Sequence, residues 1–156
     1  MARLLRTNQV VETSERHLSS ISDTNLDKLE ISNYFAQIAT VVFFSEMEKN
    51  LKEIVKSRFR HGGDEKLATF LSKTNEKLLS RMKRKEISDT VALFGDACKD
   101  DFQSRFPPSD LEIYSNVIKD RHETSHGDAS SVTLLEVKQA VEIAERILVS
   151  VEEVIT

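Results

Sequence analysis

The feature that most restricts how this chain can fold is an uninterrupted apolar stripe near the end of the sequence. Between residues 137 and 155, apolar residues recur at three- and four-residue steps over about five helical turns, and mostly polar residues stand between them. The stripe consists of Val137, Ala140, Val141, Ala144, Ile147, Leu148, Val151 and Ile155. In front of it, Thr133 and Glu136 have the spacing of a capping box, and Val132 and Val137 that of a hydrophobic staple. This pattern predicts a long helix with one face buried in a core.

The same spacing predicts further helices upstream. Two prolines and four glycines among 156 residues leave few turn formers for a protein built of short strands. We therefore expect an all-α fold, a helical bundle of about five helices with long first and last core helices. The predicted helices span residues 25–59, 64–85, 88–102, 110–126 and 134–155. Residues 1–24 carry no clear period and are interpreted as a short flanking helix or arm of a single domain over residues 1–156.

Three local patterns make the helix predictions more specific. The run of residues 38–44 is nearly all apolar, so this part of the first long helix should be buried on most sides, with the pair Phe43-Phe44 in the core. The core stripe of the next helix should consist of Leu67, Phe70, Leu71, Leu78, Leu79 and Met82. Ser109 and Glu112 have the spacing of a capping box, which places the start of a helix at residue 110.

Composition limits the classes of function. The net charge is −4, so any nucleic-acid site must be local. Neither a signal-like segment nor a run of about 20 apolar residues is present, and the lone Cys98 fits a reducing compartment, so we expect a soluble cytoplasmic protein. His17 and His61 are expected at the surface. Two basic clusters are interpreted as solvated helix faces: Lys49, Lys52, Lys56, Arg58 and Arg60, and then Lys73, Lys77, Arg81, Lys83, Arg84 and Lys85.

The densest group of reactive side chains lies between the last two predicted helices. Residues 121–127 read Arg-His-Glu-Thr-Ser-His-Gly, and they hold two of the four histidines in the chain. This segment occupies the end of one helix and the connection to the next, where a side chain can reach a partner surface. It is the strongest candidate for a functional site.

This segment resembles the R-x4-6-H signature of HEPN domains, because Arg121 and His126 are separated by four residues and a glycine follows. The order of elements is also similar over roughly residues 30–155, beginning with a long apolar helix that contains Phe-Phe-Ser-Glu-Met-Glu. Within the superfamily, the chain is most similar to stand-alone bacterial types whose motif reads close to Arg-Asn-x-x-Ala-His-Gly. The chain departs from that pattern at His122, where many relatives have asparagine.

The resemblance implies a helical bundle that forms a two-fold homodimer, with the two motifs facing each other across a cleft. It also implies a metal-independent endoribonuclease of the toxin or defence type, with Arg121 and His126 as catalytic residues and no cofactor. His122, Glu123 and Ser125 would then be supporting residues. In related stand-alone toxins the partner is often a nucleotidyltransferase-like antitoxin, so RNA and an antitoxin are the expected partners besides a second copy.

The same residues leave two other functions open. His122-Glu123-Thr124-Ser125-His126 spells H-E-x-x-H, the zinc-protease signature, in which two histidines bind the metal and the glutamate acts as general base. The inner positions are polar, however, and the candidate third ligands, Asp128, Glu136 and Glu142, have no diagnostic spacing. The other alternative is a non-catalytic dimerisation domain of the same fold, in which the motif residues are solvated cations at the negative end of a helix dipole.

Overall fold

The computed structural model describes residues 3–22, 27–60, 63–75, 82–124 and 131–156, with the backbone alone at residues 75 and 122–124. Within these ranges the chain forms seven helices and no strand, which confirms the all-α class and corrects the predicted number of helices. The helices are α1 (Leu5–Ser19), α2 (Asp27–Arg60), α3 (Glu65–Asn75), α4 (Arg84–Ala92), α5 (Asp96–Ser104), α6 (Pro108–Thr124) and α7 (Leu134–Ile155).

The centre of the bundle is the pair α2 and α7, the two long helices expected from the sequence. Helix α1 packs on both of them, α6 also contacts both, and α5 lies against α7. Every residue of the predicted α7 stripe is buried. The capping box is present, since Thr133 and Glu136 bond each other's backbone, and Val132 and Val137 are both buried as a hydrophobic staple requires.

Helix α2, at Asp27–Arg60, agrees with the helix predicted over residues 25–59 to within two residues, but the predicted burial of residues 38–44 is only partly observed. Phe43 and Phe44 are in the core, as expected. Ile38 and Val41, by contrast, are 52% and 56% exposed. The described residues therefore leave about half of each of these two side chains uncovered.

The predicted helix over residues 64–85 is wrong as a continuous element. Met82 has a φ of +52°, and Lys83 is extended, so a new helix begins at Arg84. The buried Tyr114 hydroxyl donates a hydrogen bond of 2.7 Å to the Met82 carbonyl, which holds this turn against α6. Burial, with a smaller contribution from the charge of Glu86, raises the pKa of Tyr114, so the hydroxyl remains a donor.

The core stripe predicted for residues 64–85 is confirmed only in part, since Met82 is buried and Leu71 half-buried, while Leu78 and Leu79 lie outside the described residues. Leu67 and Phe70 are 52% and 66% exposed, and Ala68 is the one buried side chain among those described in this helix. Among the described elements, α3 packs mainly on α2, and no second layer of described residues covers Leu67 and Phe70.

Two further boundaries differ from the sequence prediction. Gly95, with a φ of +132°, divides the expected helix over residues 88–102 into α4 and α5, because a left-handed residue cannot continue a helix. Helix α6 begins at Pro108 rather than Asp110, with the Asp110 amide donating to the Pro107 carbonyl at 3.2 Å. Proline is favoured at the first helical position because it has no amide hydrogen that would need an acceptor. Ser109 therefore lies inside the helix, and the capping box predicted there is not used.

The N-terminal segment is bound by carboxylates of the two central helices. Glu145 of α7 accepts the backbone amides of Arg3 and Leu4, at 2.7 and 2.6 Å. Glu46 of α2 accepts those of Arg6 and Thr7, at 3.0 and 2.8 Å. Of the two alternatives for this segment, a short flanking helix or an arm, the structure has a helix, and it is bonded to both central helices. Among the helices described, none has the length and apolar character needed to cross a membrane.

Candidate functional site

Helix α6 carries the first part of the motif to one end of the bundle. Its backbone is helical through Thr124, so Arg121 lies in the last turn, together with the backbones of His122 and Glu123. The side chains of His122 and Glu123 are outside what the structure describes. Ser125, His126 and the predicted cap Gly127 also lie outside the described residues.

Arg121 is held by an aromatic ring of the neighbouring long helix. Its guanidinium carbon lies 4.2 Å from the centroid of the Phe44 ring, and the residue is half-buried. A cation over an aromatic face is attracted by the ring quadrupole, and Arg stacks in this way while its N–H groups point outward in the plane. Among the described residues, no carboxylate forms an ion pair with Arg121. The arrangement suits the binding of an external anion.

Asp120, directly before the motif arginine, was missed by the sequence analysis. Its side chain is 2% exposed, and Oδ1 accepts the Ser131 amide at 2.7 Å and the Ser131 hydroxyl at 3.2 Å. The signal that could have found it is its spacing, because Tyr114, Val117 and Asp120 follow each other at three-residue steps on the buried face of α6. A charged residue on an apolar stripe indicates a specific partner.

One face of α2 changes from apolar to basic along its length. Tyr34, Ile38 and Val41 are exposed on the first half of the helix. The second half continues the same helical stripe with four cations: Lys49, Lys52, Lys56 and Arg60. Phe44, whose ring contacts the Arg121 guanidinium, lies in sequence between the apolar half and the basic half of this face.

The basic end of this stripe borders a cleft between α2 and α3. The cleft has a volume of about 600 Å³, and Glu65 is the one acidic residue among the described residues that line it. Its cations are Lys56, Arg60 and Lys73. Lys52 of the same stripe pairs with Glu48 at 2.5 Å. Of the second basic cluster, Lys83, Arg84 and Lys85 are exposed as predicted, whereas Lys77 and Arg81 lie outside the described residues.

The described residues contain no group of three or more His, Cys, Asp or Glu side chains able to hold a metal ion. Of the candidate third zinc ligands, Glu136 is engaged in the capping box, where its carboxylate accepts the Thr133 amide at 2.7 Å. Glu142 is exposed on α7, and Asp128 lies outside the described residues.

The remaining candidates from the sequence are two histidines and the single cysteine. His17 is exposed, as expected, and its ring meets Phe35 edge-on at 5.6 Å, whereas His61 lies outside the described residues. Cys98 is half-buried against the core, with Sγ 3.7 Å from the Phe94 carbonyl. Neither residue adds to the site at the end of α6.

An all-helical bundle with the arginine of an R-x4-H motif at the end of the penultimate helix defines a domain of the HEPN class. The model of the family described as RiboL-PSP-HEPN matches residues 7–156, and the chain belongs to this family. The match includes most of α1 and confirms the resemblance found in the sequence. A search of curated proteins and a search of solved structures each returned no match to the chain.

Proposed function

We propose that this protein is a metal-independent endoribonuclease of the toxin or defence type that cleaves RNA with Arg121 and His126 at a homodimer cleft. The observation that carries the proposal is the state of Arg121. Its guanidinium is fixed on the Phe44 ring at the end of α6, and no described carboxylate neutralises it. A positioned, uncompensated guanidinium is suited to a phosphate.

The two motif residues would divide the chemistry between them. Arg121 binds the scissile phosphate through forked hydrogen bonds and stabilises the charge that develops on it in the transition state. His126 exchanges protons, because an imidazole titrates near neutral pH. The neighbouring 2′-oxygen attacks phosphorus and loses its proton, while the bond to the 5′-oxygen breaks and that oxygen gains a proton. The products are a 2′,3′-cyclic phosphate and a 5′-hydroxyl.

The homodimer is supported by the apolar surface that a single bundle leaves uncovered. Phe43, Phe44 and the apolar stripe of α7 are buried within the protomer, so they are not the source of that surface. The uncovered apolar surface consists instead of Tyr34, Ile38 and Val41. These residues lie on α2, the helix that also provides the Phe44 ring in contact with Arg121. Ile38 also borders an apolar groove of about 610 Å³ between α1 and α2. Contact between two copies through this surface would lie close to both arginines.

The proposal is tested by incubating purified protein with total RNA in excess chelator. We expect the wild type to cleave, His126→Ala to be inactive, and Arg121→Lys to be strongly impaired because lysine keeps the charge but loses the planar fork. The matched controls are His17→Ala and Arg58→Lys, two exposed residues of the same types, which should cleave like the wild type. Product ends should carry cyclic phosphate.

Two results would overturn the ribonuclease proposal. If His126→Ala cleaves as fast as the wild type, the activity comes from a contaminant or from another site. If folded wild-type protein leaves RNA intact at every chelator and metal concentration but is dimeric by light scattering, the non-catalytic dimerisation domain is the better assignment.

A further inference from the structure

The cleft between α2 and α3 carries positive charge that the proposed cleavage at Arg121 does not use. Lys56 and Arg60 of α2 line one wall, and Lys73 of α3 lies on the other. None of these three cations forms an ion pair with a described residue. In a chain with a net charge of −4, a basic cleft of about 600 Å³ is a local site suited to an anion.

The acidic residues near this cleft leave most of its charge uncompensated. Glu65 is the one acid among the described residues that line it. Asp64 precedes it but caps α3, since its Oδ1 accepts the amides of Lys66 and Leu67, each at 3.0 Å. Glu53 is exposed on α2 and does not line the cleft. In the described part of the lining, three cations therefore stand against one carboxylate.

The arrangement of the lining suits a chain of phosphates. Lys56 and Arg60 are four residues apart on one helix, so they lie about 6 Å apart along its axis, a spacing comparable with that of neighbouring phosphates in an extended single strand. Ser72 on the other wall is half-buried, and its hydroxyl bonds to no described residue, so it can donate to a phosphate oxygen. The described lining contains no aromatic ring on which a base could stack.

We propose that the cleft between α2 and α3 binds the phosphate backbone of single-stranded RNA at nucleotides remote from the cleaved bond. This inference rests on the proposed ribonuclease function, because it assigns the cleft to the substrate of that reaction. Phe44, whose ring contacts Arg121, precedes Lys56 by twelve residues, which places the two sites about 18 Å apart along α2. At about 3.4 Å per stacked nucleotide, a strand needs about six nucleotides to reach both, and fewer where it is extended.

The test follows the dependence of cleavage on RNA length. The substrates are RNAs of two, four, eight and twelve nucleotides, built around the dinucleotide step that the wild type cleaves in total RNA. Wild-type kcat/KM should rise between two and eight nucleotides, and Lys56→Gln with Arg60→Gln should remove most of this rise. For twelve nucleotides, we expect KM to increase by about 3- to 30-fold with kcat changed by less than about twofold, because exposed charge pairs are individually weak and act equally in the ground and transition states. Cleavage of two nucleotides should be unchanged.

The matched control is Arg84→Gln with Lys85→Gln, which removes the same two residue types and the same charge from another exposed surface. It should leave KM for twelve nucleotides within about twofold of the wild type. Lys73→Gln, on the other wall, should raise this KM by about two- to fivefold, and Glu65→Gln should lower it by a similar factor. Each of these side chains is exposed or half-buried, so the melting temperatures should stay close to that of the wild type.

The outcomes are distinct from those of the parent proposal. Wild-type protein that cleaves no RNA of any length overturns the ribonuclease function and this inference together. Active wild-type protein whose KM for twelve nucleotides is unchanged by Lys56→Gln with Arg60→Gln overturns the inference alone. So does an equal rise of KM in the control at Arg84 and Lys85, because attraction by the overall charge would then explain the effect. An equal loss with two nucleotides also overturns it, since the substitutions would then act on the cleavage site or on the fold.

Discussion

Replacing Glu46 by alanine should loosen the whole N-terminal helix. Leu4 occupies the N-cap position of α1 and has no side-chain acceptor, so the backbone amides of Arg6 and Thr7 in the first turn bond to Glu46 of α2 instead. Besides the two amides, the Glu46 carboxylate accepts the Thr7 hydroxyl at 2.7 Å. Thr7 is fully buried, so alanine at residue 46 leaves its polar groups without a described acceptor.

The magnitude follows from the type of bond that is lost. A hydrogen bond to a charged group contributes about 1.5–3 kcal/mol, and loss of an N-cap costs about 0.5–2 kcal/mol. Since these effects overlap and Glu46 is only half-buried, we expect Glu46→Ala to lower the free energy of unfolding by about 2–3 kcal/mol. At roughly 2–4 °C per kcal/mol for a chain of this size, the melting temperature should fall by about 4–12 °C.

Urea and thermal denaturation followed by circular dichroism measure this change. Glu46→Gln keeps an acceptor but loses the charge, and it should fall between the wild type and Glu46→Ala. Glu53→Ala is the matched control, an exposed glutamate two turns further along α2, and it should change stability by less than about 0.5 kcal/mol. If Glu46→Ala is as stable as this control, α1 is held by apolar packing alone and the capping argument is refuted.

Four further predictions concern assembly, RNA binding, metal and packing. Ile38→Asp should convert the proposed dimer to a monomer in light scattering, and a dimer unaffected by it would place the interface elsewhere. Lys56→Gln with Arg60→Gln should lower the slope of log K against log salt for single-stranded RNA by about 1.4, and an unchanged slope would show that RNA does not contact this cleft. Elemental analysis of protein purified without chelator should find no stoichiometric zinc; one zinc per chain would favour the H-E-x-x-H alternative. Tyr114→Phe removes the described donor to the Met82 carbonyl, so it should lower the free energy of unfolding, measured by urea titration, by about 1–2 kcal/mol. An unchanged stability would indicate that water satisfies this carbonyl in the variant.

The sequence by itself determined the elements whose signals are local. The capping box at Thr133, the staple and the apolar stripe of α7 all depend on residues within a few positions of each other, and all are present. The bounds of α2 follow from the same periodicity. Arg121 could be placed at the end of a helix for this reason, and the spacing of the motif was sufficient to identify the superfamily.

Only the tertiary structure decided which faces are covered and what each site residue contacts. Leu67 and Phe70 have the spacing of a core stripe, yet both are exposed because burial depends on a second element packing on that face. The contact of Arg121 with Phe44 joins helices far apart in sequence. The bond from Asp120 to Ser131 likewise spans the connection between two helices. Local hydrogen bonding and periodicity determine where helices form, but contacts between distant residues depend on how the helices pack, and a pattern within one helix does not encode its partner.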